Sequence, residues 1–346
     1  MRTRIVGVLG AVVLLAVVGG CSRSKEKEAT PQATGAAVDS GTPRQPVSTK
    51  VKLALNWVPE PEFGGFYAAR ELGAFSRRGL EVEIQGGGAG VPVMQMVASG
   101  QADFGIAGGD EVLTARVRGV DILPLFTVYQ TSPQCLMAHA SRGATGIKDV
   151  LSSGTVALEP GLPYAAFLKK KYGFEKVKVV PYDGGVARFV ADKSFAQQCF
   201  IFSEPIAAKR QGADVKAFLV AEEGFNPYNG VVITRRELWQ QHPERVKAFV
   251  EASREGWRGY LENPAPANAI MGKLNTSMDA ETFTAATQAQ LPLVENEETK
   301  ARGLGTMSRE RWETLGTQLV ELGLIDKVPP LEEFLLPEFV AGVPAK

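Results

Sequence analysis

Residues 51–72 read VKLALNWVPEPEFGGFYAAREL and contain the first repeat unit of the chain. From Val51 to Trp57 every second residue is apolar, which is the period of a β-strand with one buried face. Pro59 interrupts this pattern, and residues 66–72 have the composition of a helix that ends at Gly73, a residue suited to a helix C-terminus. The stretch therefore predicts a strand, a turn and a helix.

The same pattern continues to Tyr129 and starts again near Gly146. Further strands are predicted at 81–84, 103–106, 122–129, 155–158, 177–180, 200–202, 217–220 and 231–233. Further helices are predicted at 93–99, 111–118, 163–172, 206–211, 245–261, 280–291 and 309–322. The alternation of strands and helices in the first part predicts an α/β fold with a parallel sheet covered on both faces.

The restart and the return strand at 231–233 predict two α/β lobes around a cleft. We expect the first lobe to contain residues 49–138 and 234–346, and the second lobe to contain residues 139–233. Because open α/β sheets bind ligands at the carboxyl ends of their strands, the residues that follow the strands are the candidates for a site.

The N-terminus has the order of an export signal. Arg2 and Arg4 precede an apolar run that is too short to span a bilayer, and two glycines stand just before Cys21. The sequence Val-Gly-Gly-Cys resembles the lipobox of bacterial lipoproteins, which implies cleavage before Cys21 and lipid attachment to it. The alternative is a secretory signal without lipid. Residues 22–48 are rich in polar residues, Pro and Gly and are expected to form a flexible tether.

Charge and composition exclude several classes of function. The chain has 38 basic and 38 acidic residues, and loss of the signal peptide with its two arginines leaves a net charge of −2. Nucleic-acid binding needs a basic face, and the sequence has no basic block. After the signal, no apolar stretch approaches the 18 residues of a membrane span. We therefore expect an exported domain that is held at the membrane by its lipid alone.

The remaining cysteines, Cys135 and Cys199, both lie in apolar, strand-like surroundings. Two buried free thiols are favoured over a disulfide bridge, although export permits either. The spacing of Cys and His residues predicts no metal site. His139 and His242 are isolated and are expected to be structural or surface residues.

Enzyme motifs are absent from the sequence. It contains no G-x-S-x-G, H-E-x-x-H, P-loop or G-x-G-x-x-G pattern. The glycine-rich stretch 86–90 lacks the Lys-Ser/Thr of a phosphate loop and is interpreted as a turn. We expect neither catalysis nor a cofactor.

Two strand ends carry an aromatic ring beside a polar side chain. Asn56 and Trp57 end the first strand, and Phe202 and Glu204 end a strand of the second lobe. One ring from each lobe would form a slot for a flat heteroaromatic ligand whose edge is bound by the polar neighbours. Trp57 filling the core instead is the alternative interpretation.

These motifs resemble a known family. Leu55-Asn56-Trp57 with Pro59, residues 64–67 (GGFY), residues 79–82 (GLEV) and residues 102–106 (ADFGI) are similar to ABC-transporter substrate-binding proteins of the group that binds thiamine pyrimidine precursors, sulfonates, nitrate or taurine. The likeness covers residues 50–260. It implies a type II periplasmic-binding-protein fold, with two α/β lobes joined by two hinge strands and closing on a small molecule.

The resemblance also implies site residues. Pyrimidine binders of this group carry Leu-Asp-Trp on the first strand and an aromatic-x-Glu on a strand of the second lobe, which correspond here to Asn56, Trp57, Phe202 and Glu204. The full set of expected ligand-binding residues is Asn56, Trp57, Gly65, Tyr67, Asp110, Tyr129, Tyr164, Phe202 and Glu204. Asn in place of Asp removes a charge and adds a donor.

The expected function is that of a monomeric, lipid-anchored receptor on the extracytoplasmic side of a bacterial membrane. It would deliver a flat nitrogen heterocycle to an ABC permease. One alternative is a receptor for sulfonate, nitrate or taurine, for which Arg188 is the candidate cation. Another is a pyrimidine synthase like the fungal relatives, but Phe63 stands where a His is common in those enzymes. A third is a lipoprotein that only binds a membrane partner.

Overall fold

The computed structural model describes residues 48–88 and 90–341. The predicted signal peptide, the predicted lipidation site Cys21 and all of the predicted tether except Ser48 lie outside the described residues. Within the described part of the chain, none of the helices has both the length and the apolar character that a membrane crossing requires.

The described strands form two five-stranded sheets and one short pair. Their bounds are β1 Thr49–Ala54, β2 Leu80–Gln85, β3 Phe104–Ala107, β4 Ile122–Tyr129, β5 Gln134–His139, β6 Thr155–Leu158, β7 Lys178–Pro181, β8 Phe195–Phe200, β9 Val215–Leu219, β10 Asn229–Arg235, β11 Met307–Ser308 and β12 Val340–Ala341. The first sheet has the order β2-β1-β3-β10-β4, the second has the order β7-β6-β8-β5-β9, and β11 pairs with β12.

The two sheets follow the same plan. In each sheet the first three strands are parallel, and a fourth, antiparallel strand lies between two others: β10 between β3 and β4, and β5 between β8 and β9. The chain leaves the first sheet after β4, enters the second as β5, and returns as β10. Residues 130–133 and 220–228 are therefore the two crossing segments. We call the elements around each sheet the first and the second lobe.

Thirteen helices accompany these strands in the described residues. Their bounds are α1 Gly64–Glu71, α2 Val93–Ala98, α3 Gly109–Val117, α4 Ile147–Val150, α5 Pro163–Tyr172, α6 Ala187–Ala191, α7 Glu204–Arg210, α8 Arg236–Gln241, α9 Pro243–Glu262, α10 Ala265–Leu274, α11 Ala280–Val294, α12 Glu297–Arg302 and α13 Arg309–Glu321. Several are amphipathic, and α9 buries Phe249, Trp257 and Tyr260 on one face.

Helix α1 lies unusually close to α9 because small residues line their contact. A Cβ atom at Gly65 would lie 2.2 Å from Cγ of Trp257, and a Cβ atom at Gly256 would lie 2.3 Å from Cβ of Ala69. Contacts this short exclude any side chain at either glycine. The close contact fixes the start of α1, and with it the loop between β1 and α1, against the first lobe.

The α/β class and the two-sheet architecture were predicted, but the sheets are mixed rather than parallel. The predicted lobe boundaries also differ from the sheet membership at both crossings. Strand β5 pairs in the second sheet although residues 134–138 were assigned to the first lobe, and most of β10 was assigned to the second lobe although it pairs in the first. The first strand after each crossing, β5 or β10, joins the new sheet as its antiparallel strand. The predicted boundaries therefore come too late in the chain at both crossings.

The prediction of free thiols was wrong. Cys135 on β5 and Cys199 on β8 stand directly opposite each other in the antiparallel register, with 4.9 Å between their Cα atoms, and they form a disulfide. This separation is within the range that a disulfide bridges. The pairing of β5 with β8 is long-range, so the individual strand patterns do not reveal it.

Candidate functional site

The ends of strands from both sheets meet between the lobes. The loop after β1 supplies Glu60, and the loop after β8 supplies Ser203, whose hydroxyl lies 3.4 Å from Oε2 of Glu60. Tyr129 at the end of β4 stacks on Phe202, with 5.4 Å between the ring centroids and 25° between the planes. These contacts place acidic and aromatic side chains of both lobes in one region.

Glu204 is held from two sides at the start of α7. Its Oε1 accepts a hydrogen bond from the Tyr182 hydroxyl at 2.7 Å, and its Oε2 accepts one from the backbone N–H of Phe200 at 2.7 Å. Burial raises the pKa of Glu204 above its usual value, while these hydrogen bonds oppose that rise. The carboxylate is therefore fixed in position before any ligand binds.

Glu60 and Glu62 are two buried carboxyl groups on the other side of this region, each only 9% exposed. Burial, and then repulsion from Glu204, raises the pKa of Glu60 to about 7. Hydrogen bonding from Trp57 and Ser203 favours the charged form of Glu60 and limits that rise. Burial, followed by repulsion from Glu60 and Glu204, raises the pKa of Glu62 well above its usual value.

The predicted slot between Trp57 and Phe202 does not have the expected form. Phe202 is 1% exposed, and the described ring pairs place it against Tyr129 and Phe200 rather than Trp57. Trp57 is half-buried beside Glu60. Trp57 therefore retains an accessible aromatic surface, whereas Phe202 supports the wall of the site through Tyr129.

Tyr129 is itself anchored by a polar chain. Its hydroxyl donates to Oε1 of Gln290 at 2.6 Å, and Nε2 of Gln290 donates to the carbonyl of Pro61 at 2.9 Å. Pro61 lies between the two buried glutamates, so α11 holds the loop that carries them. The loop is thus positioned by the first lobe from two directions, α9 and α11.

Two further predicted residues lie at strand ends. Tyr164, which is 4% exposed, donates its hydroxyl to Oε1 of Gln198 at 2.5 Å. Asp110 is half-buried at the start of α3, where burial, and then Glu111, raises its pKa to about 7. Within the described residues, neither side chain is hydrogen-bonded to Glu60 or Glu204, although Glu204 is among the charges that raise the pKa of Tyr164.

Three predicted residues have other surroundings. Asn56 is exposed. Gly65 is packed against the indole of Trp257, as described above, and Tyr67 is 1% exposed with the guanidinium carbon of Arg70 lying 5.2 Å from its ring centroid. The packing of Gly65 and Tyr67 explains these residue types without a ligand.

Glu60 and Glu62 were missed as site residues because the Pro-Glu-Pro-Glu run at 59–62 was interpreted only as the end of a strand. Tyr182 follows a predicted strand but was not included among the expected ligand-binding residues. A signal was present: both glutamates lie in a window of otherwise uncharged residues between Lys52 and Arg70. Charged side chains in such an apolar window are rarely buried without a function.

An apolar groove of about 310 Å³ lies at the ends of β6 and β7, lined in part by Leu158, Leu162, Phe174 and Leu324. None of the three glutamates at 60, 62 and 204 lines it. The polar groups that could orient a ligand are therefore concentrated at the glutamates rather than in this groove.

Arg311 on α13 joins the two crossing segments. Its Nη1 donates to the carbonyl of Gln130 at 2.6 Å, and its Nε donates to the carbonyl of Asn226 at 3.0 Å. The guanidinium also lies over the ring of Tyr228, 4.0 Å from the centroid. Oδ1 of Asn226 accepts from the backbone N–H of Ser132 at 2.8 Å, so the two crossings are bonded to each other as well.

Three curated relatives show what the chain resembles. A protein of Chloroflexus aurantiacus named riboflavin-binding protein RibY is 27% identical, with 99% of each chain covered. A formylaminopyrimidine-binding protein of Halalkalibacterium halodurans is 23% identical, covering 76% of this chain and 82% of that protein. A 4-amino-5-hydroxymethyl-2-methylpyrimidine phosphate synthase of Legionella pneumophila is 20% identical, covering 86% and 94%.

Among solved structures, the periplasmic aliphatic sulphonate binding protein SsuA of Escherichia coli superposes with a TM-score of 0.63 at 14% identity, covering 83% of this chain and 92% of that one. This likeness confirms the predicted periplasmic-binding-protein fold. The family model described as NMT1/THI5 like matches residues 60–267, which is more than half of the chain. The chain therefore belongs to the NMT1/THI5-like family.

Proposed function

We propose that this protein is the solute receptor of an ABC importer and binds a flat nitrogen heterocycle between its two lobes. The observation that carries the proposal is the set of carboxyl groups from both lobes, in which Glu204 is fixed by Tyr182 and Phe200 and faces Glu60 across the Ser203 contact. Carboxylate oxygens only accept hydrogen bonds, so they suit the N–H groups of a heterocycle.

The aromatic surface of Trp57 supports the same class of ligand. A heteroaromatic ring that lies on the indole would present its N–H edge to the carboxylates. The relatives named for binding riboflavin and formylaminopyrimidine both have flat nitrogen heterocycles as their named ligands. A pyrimidine or flavin type of ring is therefore the ligand class that we propose.

The anion-binding alternative has less support. A sulfonate or nitrate needs a cationic or helix N-terminal pocket, but Glu204 is the first residue of α7 and brings an acidic side chain to that helix start. Arg188, the candidate cation, is exposed, and its guanidinium carbon lies 4.5 Å from the ring centroid of Phe195. Its surroundings are those of a surface residue.

We also propose that the protein binds its ligand without converting it. The resemblance to the fungal synthases would require a His near the first loop and a cysteine-rich run. Phe63 occupies the first position, and Cys199, which marks the second, is held in a disulfide. Both differences favour a receptor over a synthase.

The receptor would be attached to the extracytoplasmic face of the membrane by lipid on Cys21, and closure of the lobes on the ligand would create the surface that the permease binds. Replacing Cys21 by Ala should move the protein from the membrane fraction to the soluble fraction. Retention in the membrane fraction would show that the anchor is not at this residue.

The ligand itself can be tested on the body of the protein from Ser48 onward. Mass spectrometry of small molecules that copurify with it should reveal a nitrogen heterocycle. Calorimetry with riboflavin, formylaminopyrimidine and an alkanesulfonate then ranks the ligand classes, and tight binding of the sulfonate alone would refute the proposal.

Two variants locate the site. Trp57→Ala should weaken binding about tenfold or more, since stacking on an aromatic ring contributes on the order of 1–3 kcal/mol. Glu204→Gln should weaken binding of amino-bearing rings by a similar amount, because hydrogen bonds to a charged group contribute roughly 1.5–3 kcal/mol. Glu262→Gln, at an exposed position on α9, is the matched control. Unchanged affinity in both test variants places the site elsewhere.

A further inference from the structure

The glycine-rich stretch after β2 packs directly on the loop that follows β1. A Cβ atom at Gly87 would lie 2.1 Å from the carbonyl oxygen of Leu55 and 2.8 Å from the carbonyl carbon of Asn56. Both of these are backbone atoms, so no side-chain rotation can relieve the contact. Gly87 does not have a positive φ angle. Space, rather than backbone conformation, therefore requires glycine at this position.

The two loops continue the pairing of β1 with β2 beyond the ends of the strands. Ala54 is the last residue of β1 and stands opposite Gln85 in the parallel register. The N–H of Leu55 then donates to the carbonyl of Gln85 at 2.9 Å. One step further along, the N–H of Gly87 donates to the carbonyl of Trp57 at 2.9 Å. The backbone of Trp57 is therefore fixed by a hydrogen bond from the same glycine that makes the close contact.

The side chain of Trp57 is held at its other end. Its indole N–H hydrogen-bonds to the carboxyl group of Glu60, and its ring is half-buried against the core of the first lobe. The carbonyl of Pro59, which lies between these two residues in the chain, accepts a hydrogen bond from Nδ2 of Asn275 at 3.2 Å. The indole is thus held at its N–H by Glu60 and through its backbone by Gly87, while the loop between these points is tied to the first lobe.

We propose that Gly87 is a positioning residue of the ligand site: it admits the loop after β2 against the backbone of Trp57 and so sets the angle at which the indole faces the cleft. The inference rests on the proposed function, in which the accessible surface of this indole stacks on a heterocycle. A side chain at position 87 would push the two loops apart and turn the indole, because the opposing atoms belong to the backbone. Since stacking depends on the relative orientation of the rings, the affinity for the ligand should then fall.

Calorimetry with riboflavin and formylaminopyrimidine as probes measures the effect on binding. Gly87→Ala should weaken binding of the probe that the parent binds about tenfold or more, which is the loss expected for Trp57→Ala. The matched control is Gly88→Ala, because a Cβ atom there would have open space around it, and its affinity should equal that of the parent. The double variant Gly87→Ala/Trp57→Ala should lose no more affinity than Trp57→Ala alone, because both changes remove the same contact.

Two measurements test the positioning without any ligand. The emission of Trp57 is obtained as the difference between a protein and its Trp57→Phe variant, and this difference is compared between the parent and Gly87→Ala. We expect the difference spectra to differ in wavelength or in quenching by acrylamide, because the indole has new surroundings. Hydrogen exchange on the unsubstituted protein needs no variant. The amide of Gly87 should be protected in the ligand-free protein, because it donates to the carbonyl of Trp57.

The inference is overturned if Gly87→Ala binds the probe as tightly as the parent, or if the losses of the two single variants add up in the double variant. Identical difference spectra of Trp57, or an amide of Gly87 that exchanges as fast as in an unfolded chain, would also overturn it.

Failure of the proposed function has a different signature. If neither probe binds the parent while the emission of Trp57 changes in Gly87→Ala, the proposed ligand class fails and the positioning of the indole by Gly87 stands. Thermal unfolding shows whether each variant is folded, and if Gly87→Ala is not, the exchange of the Gly87 amide in the unsubstituted protein decides.

Discussion

Replacement of Glu60 by Gln is expected to remove a pH-dependent loss of stability from the ligand-free protein. Burial, and then the nearby Glu204, raises the pKa of Glu60 in the folded state from 4.5 to about 7. The folded protein therefore holds a proton that the unfolded chain releases above pH 4.5. The contribution of this group to the free energy of unfolding is largest below pH 4.5 and is lost as the pH rises through 7.

The size of the effect follows from the same pKa values. At about 1.4 kcal/mol per pH unit, the shift corresponds to a loss of about 3 kcal/mol between pH 4.5 and pH 8. Gln has nearly the same shape and does not ionise. Between pH 4.5 and pH 8 the free energy of unfolding of Glu60→Gln should therefore fall by about 3 kcal/mol less than that of the parent. Because Glu62 and Glu204 remain, part of the pH dependence should persist.

Urea unfolding of the parent, Glu60→Gln and the exposed control Glu262→Gln at pH 4.5 and pH 8 measures the difference. The control should follow the parent at both values. If Glu60→Gln shows the same fall in the free energy of unfolding as the parent, Glu60 ionises in the folded protein as it does in water. The description of a buried, proton-holding carboxyl would then be incorrect.

Three further outcomes are expected. Gly65→Ala places a Cβ atom 2.2 Å from an indole carbon and should lower the free energy of unfolding by about 1–3 kcal/mol, as measured by urea unfolding. In the matched control Gly272→Ala the nearest contact of the new Cβ atom is 3.6 Å, so the same assay should show a gain of up to about 1 kcal/mol. Arg311→Lys loses the planar set of donors that joins the two crossings, so it should lower the free energy of unfolding by roughly 1.5–3 kcal/mol and change the ligand affinity, which the exposed control Glu262→Gln should leave unchanged. An affinity of Arg311→Lys equal to that of the parent would show that the bonds between the crossings do not affect binding. The double variant Cys135→Ala/Cys199→Ala removes the disulfide, which closes a loop with a sequence separation of 64, and should lower the free energy of unfolding by about 4 kcal/mol. If a reducing agent leaves the free energy of unfolding of the parent unchanged in the same assay, this expectation is contradicted.

The sequence predicted best those elements whose local pattern is complete. Strand β4 is buried at all eight positions and reads as one apolar run with clear ends, and α5 begins at Pro163 and stops before Gly173, so both were predicted with their observed bounds. Strand β8 was predicted five residues late. It buries Gln197 and Gln198, whose amides bond to the carbonyl of Gly185 and to Tyr164, and these polar residues hide the apolar pattern.

The predicted site was less complete because it depends on which elements meet. Glu204 was identified from its place after a strand, but its partner Tyr182 follows β7, which is separated from β8 by β6 in the second sheet. Phe202 was expected to face the ligand, and it faces Tyr129 of the other lobe instead. Contacts between lobes depend on two crossings of the chain, and a local pattern contains no information about them.

The distribution of charge between the lobes suggests what the ligand must supply. On the outside, Arg210 of α7 pairs with Asp279 and Glu281 at the start of α11, but these groups are exposed, and such pairs contribute about 0–1 kcal/mol. Inside, Glu60 and Glu204 carry charge of the same sign on facing walls and oppose approach of the lobes when both are ionised. The described charges therefore do not by themselves favour closure of the ligand-free lobes. Under the proposed function, a ligand that brings N–H donors between these walls would offset this repulsion, and closure of the lobes would then accompany binding.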